Sequence, residues 1–244
     1  MNEILLGDAY ELIKQVPDKS VDLIVTDPPY LLEGWHVGTG LFKDRVNGYV
    51  ENMMNQKDNL TEGFDISILG EFVRVMKGIN IYLWCNKEQI YDYLTYFVKE
   101  RKCRFEIIIW AKSNPSPFLN GHYLKDKEYC LFFWDDSVKV HPKYENGKTF
   151  YHTSVNMEDK KKYGHPTIKP EPIIENLILN SSEAGGVVMD PFSGSGTICA
   201  VAKRLGRQYL GFEINPKWHQ VSLDRLAGVT QKEKEKGVAQ LKLW

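Results

Sequence analysis

Short runs of apolar residues recur along the chain, and each has the length of a buried β-strand. Several of them are bounded by glycine or by an acidic residue, as strands of a core sheet often are. We therefore predict seven strands, at residues 4–6, 21–25, 79–84, 105–110, 129–134, 187–189 and 208–212.

Apolar residues recur at helical spacing between several of these runs. Residues 65–76 carry one apolar stripe and residues 87–98 carry another. Residues 172–179 form a third predicted helix, with proline in its first turn. This alternation of strands and helices predicts crossover connections, so the expected fold class is α/β, doubly wound around a mostly parallel, Rossmann-like sheet.

Two longer polar segments interrupt the alternation. Residues 31–63 contain glycine and show no strong period, and so long a segment within a compact domain is usually functional or mobile. Residues 135–164 are polar and are punctuated by proline and glycine. We therefore expect both segments to carry function rather than core.

The composition excludes several classes of protein. It is 43% hydrophobic and 26% charged, with no apolar run near the roughly 20 residues of a membrane-spanning helix. No basic segment precedes an apolar stretch at the N-terminus, so we expect no signal peptide and an intracellular protein. The net charge of -1 gives no overall attraction to nucleic acid, so such binding would need a local basic patch.

The cysteine spacing argues against a metal site or a disulfide framework. The four cysteines are far apart and form no CxxC or Cys/His ligand pattern. We predict reduced thiols in the core and no metal ion.

The stretch "VVMDPFSGSGT" predicts a binding turn between a strand and a helix. Asp190 ends the strand, Gly194 and Gly196 form the turn, and a helix begins near Thr197. The stretch lacks the Lys-Ser/Thr ending of a phosphate loop and the GxGxxG spacing. Glu213 ends the next strand, where an acid can accept hydrogen bonds from both hydroxyls of a ribose. The pattern favours an adenosine-like ligand, and the alternative is an ordinary tight turn with a solvated Glu213.

The stretch "VDLIVTDPPY" places a carboxylate and two prolines directly after an apolar run. Proline locks φ and has no N–H, so Pro28 and Pro29 would make this strand end rigid. Open α/β sheets bind ligands at the carboxyl ends of their strands, which is where Asp27 is expected. The alternative for this stretch, read alone, is a strand followed by a proline turn.

Three segments together resemble the S-adenosylmethionine-dependent DNA amino-methyltransferases, which modify adenine N6 or cytosine N4. "DPPY" resembles their catalytic motif, "DPFSGSGT" their cofactor motif, and "HPTIKP" the segment before the cofactor motif. The catalytic motif comes first, which matches the permuted β group of these enzymes. The resemblance covers nearly the whole chain and implies a seven-stranded methyltransferase sheet with a small target-recognition insert.

The resemblance implies that Asp27, Pro28, Pro29 and Tyr30 are catalytic. An exocyclic base amine is a poor nucleophile because its lone pair is delocalised into the ring. Hydrogen bonds from its two protons to the Asp27 carboxylate and the Pro28 carbonyl would favour a more tetrahedral, more reactive nitrogen. Tyr30 would stack on the base, which must first be flipped out of the duplex.

The same resemblance implies S-adenosyl-L-methionine as cofactor, without a metal. Asp8 would lie near the adenine of the cofactor, although it would fit equally well as the N-cap of the following helix. Thr167 and Lys169 would meet the carboxylate of the methionine end. The remaining implied cofactor residues are Asp190, Pro191, Phe192, Ser193, Gly194, Ser195, Gly196, Thr197 and Glu213.

Double-stranded DNA is the implied partner, and a lysine-rich segment is the candidate surface for it. Residues 138–170 contain seven lysines against three acids, with tyrosines between them. Such a patch suits phosphate contact, and the alternative is a solvated insert. Lys112 and Asn114, in "WAKSNPSP", resemble a segment beside the target base. The other candidate DNA contacts are Lys139, Lys143, Lys148, Lys160, Lys161 and Lys162.

The resemblance also implies one methyltransferase domain over residues 1–244. It would comprise a catalytic half (1–134), a target-recognition insert (135–164), a cofactor-binding half (165–227) and a charged tail (228–244). Asp27 favours adenine, because related enzymes that methylate cytosine N4 more often carry serine there. The alternatives are cytosine-N4 methylation and a catalytically silent DNA-binding partner with the same fold.

The cellular setting follows from the resemblance alone. It implies a cytoplasmic protein encoded by a bacterium, a phage or another mobile element. A cognate restriction endonuclease and a homodimer fit the family, and the residues themselves identify neither. The DNA sequence that the protein would recognise cannot be derived from the chain either.

Overall fold

A computed structural model describes residues 1–30, 64–115, 123–155, 157–165 and 167–230. The predicted functional segment at residues 31–63 lies outside the described residues. Most of the charged tail does as well, since the description ends at Thr230.

In the described part of the chain, eight strands form one sheet in the order β1-β8-β7-β2-β3-β5-β4-β6. Five of the seven neighbouring pairs are parallel, and the two pairs that involve β5 are antiparallel. The mostly parallel α/β prediction is therefore confirmed. The strands are β1 (Asn2–Leu6), β2 (Leu23–Thr26), β3 (Asn80–Cys85), β4 (Arg104–Lys112), β5 (Lys127–Trp134), β6 (Phe150–Thr153), β7 (Val187–Asp190) and β8 (Gln208–Glu213).

The predicted count of seven strands is wrong, because β6 adds an eighth. It lies within the segment expected to be a target-recognition insert, and it pairs in parallel with the end of β4. Three of its four residues are exposed, so it has no apolar run by which sequence reasoning could have found it.

Seven α-helices occur among the described residues. They are α1 (Ala9–Leu12), α2 (Ile68–Val75), α3 (Ile90–Leu94), α4 (Met157–Tyr163), α5 (Glu171–Ser181), α6 (Thr197–Arg204) and α7 (Pro216–Leu226). The three helices expected from periodicity are confirmed as α2, α3 and α5, and α3 continues into a π-helical turn, Thr95–Glu100.

Helices cover both faces of the sheet, as the doubly wound prediction requires. One core cluster packs α1, α2 and α3 against the sheet through residues such as Ala9, Phe72 and Tyr93. The other packs α5 and α6 through residues such as Ile174 and Ile198. All four cysteines are buried and unpaired, in agreement with their prediction as core thiols.

The strand order sets the position of the candidate site. β2 lies between β7 and β3 and is parallel to both, so the carboxyl ends of β2 and β7 are neighbours. β5 runs antiparallel to β3, with Tyr129 opposite Cys85. The first residues of β5 therefore also reach this edge of the sheet, where ligands of open α/β sheets bind.

No helix in the described ranges is both long enough and apolar enough to span a membrane.

Candidate active site

The two motifs, far apart in the chain, meet at adjacent strand ends. Thr26, the last residue of β2, donates a 2.8 Å hydrogen bond from its hydroxyl to Oδ1 of Asp190, the last residue of β7. Asp27 follows directly after Thr26, and the glycine turn follows Asp190. Strand pairing thus brings the predicted catalytic and cofactor motifs together.

The turn after β7 is held by hydrogen bonds to the end of β8. The Ser193 N–H donates to the Phe212 carbonyl at 2.8 Å, and the Gly194 N–H donates to Oε2 of Glu213 at 2.7 Å. Glu213 is buried, so the alternative of a solvated acid is wrong. Glu213 therefore fixes the turn through its hydrogen bond from Gly194, and its contact with a ribose stays a prediction.

Gly196 allows the sharp entry into α6. Its φ is +72°, a left-handed conformation that residues with a Cβ rarely adopt. A Cβ added there would also lie 2.7 Å from Cβ of Ser222 in α7. Both conformation and space therefore require glycine at this position.

The hydroxyls of the turn are tied to a buried arginine that sequence reasoning missed. Arg225, in α7, donates to Oγ1 of Thr197 at 2.8 Å and to Oγ of Ser195 at 3.4 Å. Its guanidinium also contacts Glu171 of α5 at 2.6 Å. These hydroxyls point into the protein, and their hydrogen bonds with Arg225 stabilise the turn.

The remaining predicted cofactor residues surround the same strand ends. Phe192 packs edge-on against Phe64 at 5.8 Å between ring centroids. Asp8 follows β1, which pairs with β8, and its carboxylate accepts from the Tyr10 N–H at 2.9 Å. The N-cap reading of Asp8 is confirmed, whereas its contact with the cofactor stays a prediction. Thr167 lies beside His165, donating its N–H to Nδ1 at 3.3 Å.

His165 packs within the protein. Its ring is buried and packs edge-on against Trp218, with 4.5 Å between ring centroids. Burial, reinforced by nearby cations that include Lys169, lowers the pKa of His165 to about 3. The ring is therefore neutral at physiological pH and cannot act as a cationic partner.

Asp190 sits in the floor of the site. Burial raises the pKa of Asp190 to about 7, although hydrogen bonds from the Thr26 hydroxyl and the Phe192 N–H act in the opposite direction. Its carboxylate accepts both of these hydrogen bonds through Oδ1. Its observed contacts are thus with the protein itself, at the base of the turn.

Asp27 has one occupied and one free carboxylate oxygen. Oδ2 forms an ion pair with the ammonium of Lys169, whose side chain is only 6% exposed. Oδ1 is buried, and no hydrogen bond of ordinary length reaches it among the described residues, although the Tyr30 hydroxyl lies near enough to lower the pKa of Asp27. Burial raises the pKa of Asp27, while Lys169 counters this effect. An unpaired buried acceptor is unfavourable unless a ligand satisfies it, so Oδ1 is the acceptor that a bound amine would meet.

Lys169 lies at Asp27, at the predicted catalytic end. Besides Oδ2 of Asp27, its ammonium contacts Oε2 of Glu128 at 3.1 Å. It also lies 5.4 Å from the ring centroid of Tyr30 and 5.2 Å from that of Trp84. The prediction that Lys169 binds the carboxylate of the cofactor is untested by these contacts and stays a prediction.

Glu128, at the start of β5, is a site residue that sequence reasoning missed. Its Oε1 lies 2.5 Å from the ammonium of Lys112, and its Oε2 faces Lys169. Although burial acts to raise it, the two ammonium groups hold the pKa of Glu128 at about 2. The available signal was an acidic residue directly before the apolar run 129–134, but its place opposite "DPPY" depends on sheet pairing.

Three buried polar atoms without a partner among the described residues cluster around Lys169. They are Oδ1 of Asp27, the hydroxyl of Tyr30 and the indole N–H of Trp84. Burial and the nearby Asp27 carboxylate raise the pKa of Tyr30 well above its usual value, which keeps the hydroxyl neutral. Pro28 and Pro29 lie between Asp27 and Tyr30. This end of the sheet offers acceptors and donors to a polar ligand with an aromatic face.

The structure separates the predicted DNA contacts into two groups. Lys112 and Lys160 lie near the active site. Lys112 forms an ion pair with Glu128, and burial together with the charge of Lys112 lowers the pKa of Lys160, while Glu128 acts to raise it. Lys161 and Lys162 belong to the same helix as Lys160, α4. Asn114 accepts a 2.7 Å hydrogen bond from the Val155 N–H, which ties the end of β4 to the segment after β6.

The second group lies near the opposite edge of the sheet. The segment that carries Lys139, Lys143 and Lys148 follows the end of β5 and contacts the C-terminal end of α5. There the His141 N–H donates to the Asn180 carbonyl at 3.0 Å. These three lysines are exposed, and their contact with DNA stays a prediction.

The described residues hold no group of three or more His, Cys, Asp or Glu side chains arranged to bind a metal ion.

Comparisons with known proteins match this arrangement of elements and site. The family described as DNA methylase matches residues 21–224 of the chain. The type II methyltransferase M.HinfI of Haemophilus influenzae is 31% identical, and the match covers 93% of this chain and 68% of that protein.

Two solved structures have similar folds. The M1.HpyAVI–SAM complex superposes with a TM-score of 0.66 at 25% identity, over 93% of this chain and all of that one. The cytosine-N4-specific PvuII DNA methyltransferase superposes with a TM-score of 0.65 at 19% identity, over 92% of this chain and 86% of that one. The second likeness shows the fold alone.

Proposed function

The chain belongs to the DNA methylase family, the DNA amino-methyltransferases, and from this premise we propose a site-specific enzyme that methylates the N6 amino group of adenine in duplex DNA. The observation that carries the proposal is Oδ1 of Asp27, a buried acceptor without a partner among the described residues, next to the glycine turn. S-adenosylmethionine, when bound, supplies an electrophilic methyl group. Residues of this chain would bind the cofactor, hold the base and make its amine reactive.

The turn and the acid after it fit the cofactor. The buried carboxylate of Glu213 accepts one hydrogen bond from Gly194 and one from Asn215, at 2.7 and 2.8 Å. These contacts fix the carboxylate at the strand end, where it would accept hydrogen bonds from the ribose hydroxyls. The ring of Phe192 and the carboxylate of Asp8 lie at the same edge of the sheet and would complete the adenosine site.

Asp27 would make the target amine reactive without being a strong base. An amino proton donated to Oδ1, and the other to the Pro28 carbonyl, would draw electron density toward the nitrogen. Tyr30 would hold the flipped base by stacking, worth about 1–3 kcal/mol. The base must leave the duplex because the amine is otherwise inaccessible, at a cost of a few kcal/mol.

Adenine is the finer part of the proposal. Its support is the aspartate at position 27, since enzymes that resemble this chain and act on cytosine N4 more often have serine there. A type II enzyme also implies a companion restriction endonuclease, and a homodimer is compatible with the family. DNA would be held chiefly by Lys161 and Lys162, the exposed lysines of α4, through phosphate contacts that weaken as salt increases, because Lys112 is engaged with Glu128.

The test is transfer of labelled methyl from S-adenosylmethionine to unmethylated duplex DNA, followed by separation of the nucleosides. We expect label in N6-methyladenine. Label in N4-methylcytosine would overturn the adenine assignment, but the protein would still be a DNA amino-methyltransferase. Cofactor binding without any incorporation would instead identify a catalytically silent DNA-binding protein.

A further inference from the structure

Four charged side chains from four parts of the chain form one buried network behind the candidate catalytic oxygen. Lys169 bridges Asp27 and Glu128, and Glu128 contacts Lys112 at 2.5 Å. Their side chains are between 6% and 20% exposed. Two ammonium and two carboxylate groups balance in charge, which is the condition under which buried ions are tolerated.

Stability alone is a poor explanation for this network. Replacing a buried ion pair by apolar residues of similar volume is often neutral or stabilising, because desolvation offsets the attraction. The network here ends on the one carboxylate that the proposed chemistry needs. Its position therefore points to a role in the reaction.

The contacts show what that role is. Lys169 holds Oδ2 of Asp27, so Oδ1 remains as the only carboxylate oxygen of Asp27 available to a ligand. Glu128 attracts the same ammonium from its other side, at 3.1 Å. An ammonium shared between two carboxylates withdraws less electron density from either one. Asp27 thus keeps a fixed orientation and remains a good acceptor.

We propose that Glu128 is a positioning residue for methyl transfer, which acts through Lys169 to orient Asp27 and to set its charge. The proposal rests on the function proposed above and adds residues to it. Lys112 completes the arrangement by holding the second oxygen of Glu128.

The charge on Asp27 depends on the groups that face it. Lys169 lowers its pKa, whereas burial and the charge of Glu128 raise it. Removing Lys169 should raise the pKa of Asp27, and removing the charge of Glu128 should lower it. The other titratable groups that sense Asp27 are Tyr30, Cys85, Tyr93, Cys130 and Asp190.

The experiment measures the single-turnover rate of methyl transfer against pH, with saturating S-adenosylmethionine and duplex DNA. The variants are Lys169→Met, Lys169→Arg and Glu128→Gln. The exposed residues Lys127 and Glu106 provide the matched controls Lys127→Met and Glu106→Gln. Circular dichroism and the dissociation constant for the cofactor verify that each variant is folded and loaded.

The acid limb of the profile is the low-pH range in which the rate rises as Asp27 loses its proton. It should move in opposite directions in Lys169→Met and Glu128→Gln. We expect Lys169→Met to shift it upward by about 1–3 pH units, the usual effect of losing an adjacent opposite charge. Glu128→Gln should shift it downward and lower the plateau rate about tenfold, a fraction of the roughly 10²–10⁴ that a positioned acid or base supplies. Lys169→Arg and both controls should keep the wild-type limb.

An equal loss of rate at every pH in Glu128→Gln, with an unmoved acid limb, would show a merely structural role and overturn the inference. If Lys169→Met does not fold, the profile of Glu128→Gln decides by the same criterion. A wild-type protein that transfers no methyl would overturn the proposed function together with this inference. An active wild type with unmoved limbs would overturn the inference alone.

Discussion

The glycine turn and the Asp27 end lie side by side, yet they are held in different ways. The turn is fixed by backbone hydrogen bonds to the end of β8 and by hydroxyls bound to Arg225. The Asp27 end is fixed by charges from remote elements and leaves three buried polar atoms without partners among the described residues. A turn that is complete without its ligand suits a cofactor held in every cycle. Unpaired polar atoms suit a base that must be drawn from a duplex, because binding then satisfies them.

Replacing the free acceptor should separate chemistry from cofactor binding most strongly. We expect Asp27→Ala to lower the rate of methyl transfer by at least about 10²–10⁴, since no acceptor for the amino proton remains. The dissociation constant for S-adenosylmethionine, measured by calorimetry, should stay within about threefold, a difference of less than 1 kcal/mol. The exposed Asp136 supplies the control Asp136→Ala. Loss of cofactor binding in Asp27→Ala would mean that the two motifs have been assigned to the wrong ligands.

Removing the charge at the tip of β8 should affect the other region. Glu213→Gln keeps the shape but loses one of two carboxylate acceptors. Hydrogen bonds to charged groups contribute about 1.5–3 kcal/mol, so we expect cofactor affinity to fall roughly 10- to 100-fold. The rate at saturating cofactor should change little, as single-turnover measurements would show. Glu3→Gln, an exposed acid in the neighbouring β1, is the control, and an unchanged affinity would remove Glu213 from the cofactor site.

A glycine pair separates steric crowding from backbone conformation. Gly196 and Gly206 have nearly equal φ, +72° and +73°, but only Gly196 has atoms close to an added Cβ. Both alanine variants should lose roughly 1–3 kcal/mol of unfolding free energy from the left-handed backbone, and Gly196→Ala should lose more because of Ser222. Chemical denaturation measures both. Equal losses would show that α7 moves aside at no cost.

Asp190 predicts an effect on stability that depends on pH. Its pKa is about 7 in the folded protein and near 3.8 when unfolded, so the unfolded state loses its proton first as the pH rises. Stability should therefore fall between about pH 4 and pH 7 and then level off with respect to this group. Asp190→Asn should flatten that fall in denaturation midpoints measured across the range. A slope equal to that of the wild type would show that burial does not hold the proton on Asp190.

Much of the fold could be predicted because the spacing of apolar residues along the chain indicates which side of a strand or helix is buried. Strands such as β3, which is buried along its whole length, and the amphipathic α2 were found in this way. β6 was missed because its pairing with β4 depends on backbone hydrogen bonds between largely exposed residues. Such residues carry no hydrophobic signal, so only the assembled sheet shows them.

The candidate site divides along the same line. Asp27, Gly194, Gly196 and Glu213 stand in local sequence patterns, and the sequence alone determined that they lie at strand ends and in the turns that follow them. Which carboxylate faces which ammonium was decided only by the tertiary structure. Glu128 is brought to Asp27 by the pairing of β3 with the antiparallel β5, and Lys169 reaches it from the segment before α5. Electrostatic partners are set by distance in space, and distance along the chain does not encode it.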